Sequence, residues 1–244
     1  MSRVLVRPLN ALGGILPVTA FSDNFNRANN TNGFGENWIC SGLNYSLAAA
    51  FSAIGPIGIS VNQSVWQATA TNQNIQNMPH GFMPVPCMSG LNGKSQFAQL
   101  THISNNSIVG TRSMYIGVSI LNGWTVVAGA GGFRQYIAPM FVDDTQSFVA
   151  LNRFDGTNYA NIGAPASFNI VANDVIRLQG RIAAGGGSVD LTIFVNGVAR
   201  ITATDNAASR SIFGSPGIHR HTYVTAAVPG TPTVVVDDFS CGLA

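Results

Sequence analysis

Residues 189–198 read "VDLTIFVNGV", a strict two-residue alternation that ends in Asn-Gly. Val189, Leu191, Ile193 and Val195 fall on one side of an extended chain, and Asp190, Thr192 and Phe194 on the other. Asn196-Gly197 then supplies two residues that tolerate the positive φ a tight hairpin demands. The spacing predicts a strand over Val189–Val195 and a return strand over Val198–Ala203. Upstream, "NDVIRLQGRI" repeats the pattern: Ile176, Leu178 and Ile182 face in, while Arg177, Gln179 and Arg181 face out. The stretch "AAGGGS" turns it into the next strand. Shorter alternations predict strands at Ile57–Val61, Val65–Thr69, Gln96–Ile103, Ser113–Leu121, Arg134–Val142, Ser147–Asn152, Ser167–Val171 and Ile218–Thr225. A dozen or more short strands with no crossover helices give an all-β fold, either two antiparallel sheets packed face to face or a barrel.

A chain of 244 residues suits one large domain of this kind. Only 9% of them are charged, with Lys94 the one lysine, Glu36 the one glutamate and a net charge of +2. That charge is too small to argue for nucleic acid. No apolar run approaches the roughly 20 residues of a membrane span. Two readings remain for so neutral a surface. Asn, Gln, Ser and Thr solvate it, or partner subunits cover it, copies of the chain itself among them. We take the second, because uncovered apolar patches invite aggregation.

Residues 1–20 contain Arg3 and Arg7 and then an apolar stretch, which imitates a signal peptide. Pro8, Asn10, Gly13, Gly14 and Pro17 interrupt it. It reads as an N-terminal arm, with the domain over 21–244. Arg3, Val4, Leu5, Arg7, Leu9, Leu12 and Ile15 are the arm residues expected to contact a partner chain. Cys40, Cys87 and Cys241 are odd in number, lack metal-ligand spacing and read as small buried hydrophobes of a reducing compartment. Thr71–Gly93 reads as a long loop in which Met78, Phe82, Met83 and Met88 form either an adaptable partner-binding surface or a lid on the core. "AGAGGF", Ala128–Phe133, reads as a second loop without the strand–loop–helix context of a phosphate site.

Four segments carry a resemblance: "DNFNRANNTNGFGENW" at Asp23–Trp38, "NDVIRLQGRI", "VDLTIFVNGV" and "VVVDDFS" at Val234–Ser240. In this order they resemble the concanavalin A-like lectin/glucanase jelly roll, and in particular the LamG-like modules of bacteriophage virion proteins and secreted carbohydrate-active proteins. The resemblance covers most of residues 21–241. It implies an antiparallel two-sheet jelly-roll sandwich with an extended N-terminal arm, whose first and last strands, Asp23–Arg27 and Val234–Phe239, lie side by side and pair antiparallel. Phe25 and Phe239 then pack in the core, Asp23 and Asp237 or Asp238 accept hydrogen bonds at the strand ends, and Arg27 partners one of them.

Glycosidases of this fold resemble one another in a strand of clustered acidic residues, because cleavage needs two carboxylates flanking the bond. Here Glu36 stands alone. Neighbours such as Asp143-Asp144 and Asp237-Asp238 point to opposite strand faces. His80, His102, His219 and His221 have no nucleophile motif beside them; His219 and His221 share one strand face, where a metal would still need a third ligand. Asp143, Asp144 and Asp155 are weak calcium candidates, and no cofactor is expected. Trp66, Trp124 and Tyr136 offer sugar-stacking platforms, unless Trp66 and Trp124 alternate into the core, and Arg177, Arg181 and Arg200 are a stripe for an acidic partner or plain solvating charge. Together with the resemblance, these features lead us to expect a non-enzymatic structural protein of a bacteriophage virion. It would be a capsid decoration or cement protein, made in the host cytoplasm, that binds other capsid or tail subunits. The alternative is a carbohydrate-binding, lectin-like adhesion module, on a phage tail or secreted, whose partner is a host-surface glycan. A glycoside hydrolase or polysaccharide lyase is the third reading, and the acidic inventory disfavours it.

Overall fold

A computed structural model describes residues 17–26, 37–41, 57–60, 63–67, 80–84, 86, 88–106, 112–127, 130–142, 147–155, 159–224 and 233–244. Two antiparallel sheets pack into a jelly-roll sandwich, as the alternations and the resemblance predict. The first sheet contains β1 (Ala20–Asp23), β3 (Ile57–Ser60), β4 (Gln63–Gln67), β6 (Gln96–Asn106), β13 (Val175–Ile182), β14 (Val189–Val195), β15 (Val198–Asp205) and β17 (Thr233–Leu243). Its order is β15-β14-β13-β6-β17-β4-β3, with β1 on the far half of β17. The second contains β2 (Trp38–Ser41), β5 (His80–Pro84), β7 (Arg112–Val127), β8 (Ala130–Val142), β9 (Ser147–Ala150), β10 (Asn152–Phe154), β11 (Tyr159–Asn161), β12 (Ser167–Ile170) and β16 (Ser215–Val224). Its order is β11-β10-β8-β7-β16-β5-β2, with β9 and β12 beside the end of β8. A single helical turn, α1 (Met88–Leu91), precedes β6.

Alternation decides what lies between the sheets. Ile176 and Leu178 of β13, with Val189, Leu191, Ile193 and Val195 of β14, are buried against Ile116, Val118 and Ile120 of β7 and Ala138 and Met140 of β8. Each fully buried Val, Leu or Ile contributes about 1.5–3 kcal/mol through apolar surface removed from water. The β14–β15 hairpin turns at Asn196 and Gly197, with φ of 52° and 78°. The Asn196 side chain reinforces it, accepting from Val175 N–H at 2.8 Å and donating to Asp174 at 2.7 Å.

Several expectations are corrected. The first and last strands do pair, but in the register Ala20↔Gly242 to Asp23↔Phe239, so β1 ends where pairing was expected to begin. Phe25 takes positive φ of 51°, which turns the chain out of the strand just after Asp23. Phe82 and Met83 stand in β5, paired with β2 and β16, and not in a loop. Five residues with a Gly and a Pro give too short a pattern to read alone; the two neighbouring strands impose the extended form. β7 runs past the expected end at Leu121 by a bulge between Ile120 and Gly123, and residues 130–133 of the expected glycine loop pair with it as the start of β8. The arm residues Arg3, Val4, Leu5, Arg7, Leu9, Leu12 and Ile15, the loop residue Met78, and Arg27, Asp143 and Asp144 lie outside the described residues.

Candidate functional site

The two ends of the domain meet above an aromatic floor. Alternation turns Phe21 and Asp23 of β1, and Phe239 and Cys241 of β17, toward the core, and leaves Ser22 and Ser240 outside. The Trp38 ring lies 4.9 Å from Phe239, 5.7 Å from Phe21 and 6.0 Å from Phe25, centroid to centroid. Asp23 holds this cluster. Its Oδ1 accepts from Phe25 N–H at 2.8 Å and its Oδ2 from the Trp38 indole Nε1–H at 2.7 Å. A buried carboxylate is tolerable when both oxygens are so engaged. Phe25 and Phe239 are in the core as expected, and Asp23 is the expected acceptor. The Trp38 partner went unread, because nothing in the spacing announces a bond across fifteen residues.

Over this floor opens a cavity of about 630 Å³. Its polar lining is Ser22, Asp23, Asn24, Asn37, Gln99, Asp238 and Ser240. Asp238 takes positive φ of 50° within the β17 bulge between Asp237 and Ser240, and its N–H donates to Asp237 Oδ1 at 2.9 Å. Strand register extends the lining into a row over the outer face: Ser22 lies opposite Ser240, Ser240 opposite Gln99, and Gln99 opposite Arg177. The Arg177 guanidinium sits 3.9 Å from the Phe97 ring centre and donates to Gln179 at 2.8 Å. Burial, with Arg181 nearby, lowers its pKa. The expected outward position of Arg177 is therefore met, and its charge is spread over aromatic faces.

The chemistry of the other described carboxylates is fixed by their partners. Asp174 accepts from Val171 N–H and Asn196; Asp190 accepts from the Thr204 hydroxyl. Asp205 accepts from Tyr136, Arg153 and Ala207 N–H, the Arg153 contact being an ion pair at 2.9 Å. These acids hold a turn (Asp174), a cross-strand bond (Asp190) and an ion pair (Asp205), and among the described residues Asp238 is the exposed carboxylate at the cavity. Tyr136 is corrected from a stacking platform to a fully buried residue; burial, and then its bond to Asp205, raise its pKa. No group of three or more His, Cys, Asp or Glu among the described residues, Asp155 included, is placed to hold a metal ion.

A second polar cluster lies on the outer face of the other sheet. Register puts Phe154, Tyr159, Gln135 and His219 on the side away from the core. Gln135 Nε2 lies 2.9 Å from His219 Nδ1, and the Tyr159 ring is 4.6 Å from Phe154 and 6.1 Å from His219. An amide nitrogen only donates, so this imidazole accepts through Nδ1. Gln135 and His219 are both fully buried. Burial also drives the Tyr159 pKa far above its ordinary value, so the phenol keeps its proton and is no ready base.

No family model matches the chain, and no curated protein matches it. Solved structures do. The alginate lyase Aly36B is 11% identical, with 94% of this chain and 99% of that one covered at a TM-score of 0.54. A GlcNAcα1-4Gal-releasing endo-β-galactosidase from Clostridium perfringens is 9% identical, with 96% and 64% covered at 0.57. LamA from Z. galactanivorans, in complex with laminaritriose and laminaritetraose, is 8% identical, with 92% and 98% covered at 0.56. The expected role as a virion decoration or cement protein is overturned by this company, which handles carbohydrate and gives a virion role no support. Because most of these structures are carbohydrate-active enzymes, the architecture admits catalysis, and they lend nothing to the expectation that the chain is no enzyme. At these identities what is shared is the fold: the chain is a concanavalin A-like jelly roll.

Proposed function

We propose that the chain is a carbohydrate-binding protein of lectin type, which holds a glycan without cleaving it in the cavity where β1 and β17 meet. The observation that carries this reading is the cavity's lining. Four planar polar side chains (Asn24, Asn37, Gln99 and Asp238) and two serine hydroxyls converge on about 630 Å³. Sugars present hydroxyls in pairs, and planar amides and carboxylates answer each pair with bidentate hydrogen bonds. The volume falls in the ordinary range of small-molecule sites, about 300–1,000 Å³. The similar structures act on glycans in the same architecture, which agrees with the reading.

The described carboxylates support binding without hydrolysis. Hydrolysis needs two, about 5–10 Å apart, on either side of the bond. Asp23, beside Asp238 in the lining, has both oxygens committed to Phe25 and Trp38. The test is a glycan array probed with the wild-type chain and with Asn24→Ala and Gln99→Ala, beside a reducing-end assay on each glycan bound. We expect a restricted set of glycans, binding weakened at least tenfold in each variant, and no new reducing ends. An array without a single bound glycan overturns the reading; release of reducing ends that stops in Asp238→Ala replaces it with an enzyme.

A further inference from the structure

A second cavity, of about 300 Å³, opens between the bulge of β7 and the segment joining β15 to β16. It is lined by Gly123, Arg134, Ala208, Arg210, Ser211, Ile212 and Phe213. Two arginines in so small a space, in a chain with only twelve basic residues in all, call for a reason.

The cavity's walls are built with unusual backbone. Leu121 is fully buried at a positive φ of 51°, a conformation that costs a branched residue and persists only when its surroundings enforce it. They do. Leu121 N–H donates to Gln96 Oε1 at 3.2 Å, and Leu121 O accepts from the Ser211 hydroxyl at 2.6 Å. The Gln96 amide nitrogen donates in turn to the carbonyls of Leu91, Lys94 and Gly214. Gly214 has φ of 107°, and any Cβ there would collide with the Asn122 backbone. A Cβ at Gly123 would lie 2.8 Å from the Phe213 carbonyl oxygen. Bulge and segment are therefore locked together, and the cavity between them is part of the rigid fold.

The arginines differ in what they spend. Arg210 donates Nε–H to Gly186 O at 2.7 Å and Nη1–H to Ala207 O at 2.9 Å, bonds that fix the guanidinium plane. Three of its five N–H groups remain for a ligand. Arg134 is half-buried and engages no carboxylate or carbonyl among the described residues, where the one ion pair is Arg153–Asp205. Beside them the Phe213 ring is 62% exposed. A fixed guanidinium fork, a second cation and an exposed ring suit a planar or tetrahedral anion carried on an apolar body.

We infer that this cavity binds the carboxylate or sulfate group of an acidic sugar, with Arg134 and Arg210 holding the anion and Phe213 covering the ring. The inference rests on the carbohydrate-binding reading and adds to it a second site, which holds the charged group of an acidic sugar. Titration calorimetry would compare tetragalacturonate with its methyl ester, which keeps the sugar and removes the charge, and with inorganic sulfate. The wild-type chain should bind the acid at least tenfold more tightly than the ester. Arg134→Gln should erase that preference, and Phe213→Ala should weaken the acid form while sparing sulfate. The Arg134 side chain makes no hydrogen bond or ion pair with the described residues, so Arg134→Gln should keep the wild-type melting temperature. Equal binding of acid and ester, or a preference that survives in Arg134→Gln, overturns the inference and leaves the carbohydrate-binding reading standing. Sulfate bound through Arg134 without either sugar would support an anion site for a free ion and remove the sugar. No binding of any of the three overturns the inference outright.

Discussion

Replacing Asp23 should unfasten the place where β1 and β17 meet. Asp23 is 9% exposed and accepts two bonds, from Phe25 N–H at 2.8 Å and Trp38 Nε1–H at 2.7 Å. Hydrogen bonds to a charged group contribute about 1.5–3 kcal/mol each, and Asp23→Ala removes both while leaving two buried donors unpaired. The expected loss is roughly 3–5 kcal/mol. Asp23→Asn keeps one oxygen acceptor and turns an NH₂ group toward the other donor, so about half that loss is expected. For a domain of this size each kcal/mol lowers the melting temperature by about 2–4 °C. Asp23→Ala should therefore melt about 6–20 °C below the wild type, with Asp23→Asn between them. Differential scanning calorimetry reads the midpoints, and tryptophan fluorescence reports the loosened Trp38. An Asp23→Ala variant melting within about 2 °C of the wild type would show that the carboxylate does not hold the cluster.

Two glycines offer a matched contrast. Gly214→Ala should lower the melting temperature steeply, because φ of 107° and a collision with the Asn122 backbone leave no room to adjust, while Gly187→Ala, at φ of −67° with nothing within 4 Å, should be neutral or raise it. Equal melting of the two variants would contradict the argument. Asp237 sets a pH dependence. Burial raises its pKa, with Asp238 and Asp23 adding to the rise, so the folded state holds this proton more tightly than the unfolded chain. Its stabilisation is complete below the unfolded value near 3.8 and is lost as pH climbs through the raised folded value. Asp237→Asn should flatten that fall in a series of melts from about pH 3 to 7; an unchanged slope would count against it.

The architecture is legible where the pattern is long and local. Val189–Val195 can be read to the residue because a seven-residue alternation ends in Asn-Gly, whereas the bulge that shifts its pairing with the return strand between Ile193 and Phe194 leaves no mark in that pattern. Alternation likewise reveals β6 and β13, and Gln96 is the first residue of β6 both in the pattern and in the structure. Illegible are the features fixed by remote contacts. β5 is a strand because β2 and β16 flank it, and the β7 bulge exists because Gln96, twenty-five residues away, captures Leu121 N–H. The candidate site divides in the same way. The two Asp-Phe segments point to the meeting of the chain's ends, yet the lining residues Asn24, Asn37 and Gln99 come from three separate segments, and polar residues of their kind are everywhere in this chain. The paired arginines of the second cavity, seventy-six positions apart, leave no mark in the sequence at all.

Mapping backbone amide shifts during a titration with a glycan selected on the array tests the central claim most directly. The account predicts that perturbations centre on Ser22, Asn24, Gln99, Asp238 and Ser240, which line the cavity at the meeting of β1 and β17. Perturbations centred instead on Gln135, Tyr159 and His219, on the outer face of the other sheet, would contradict it.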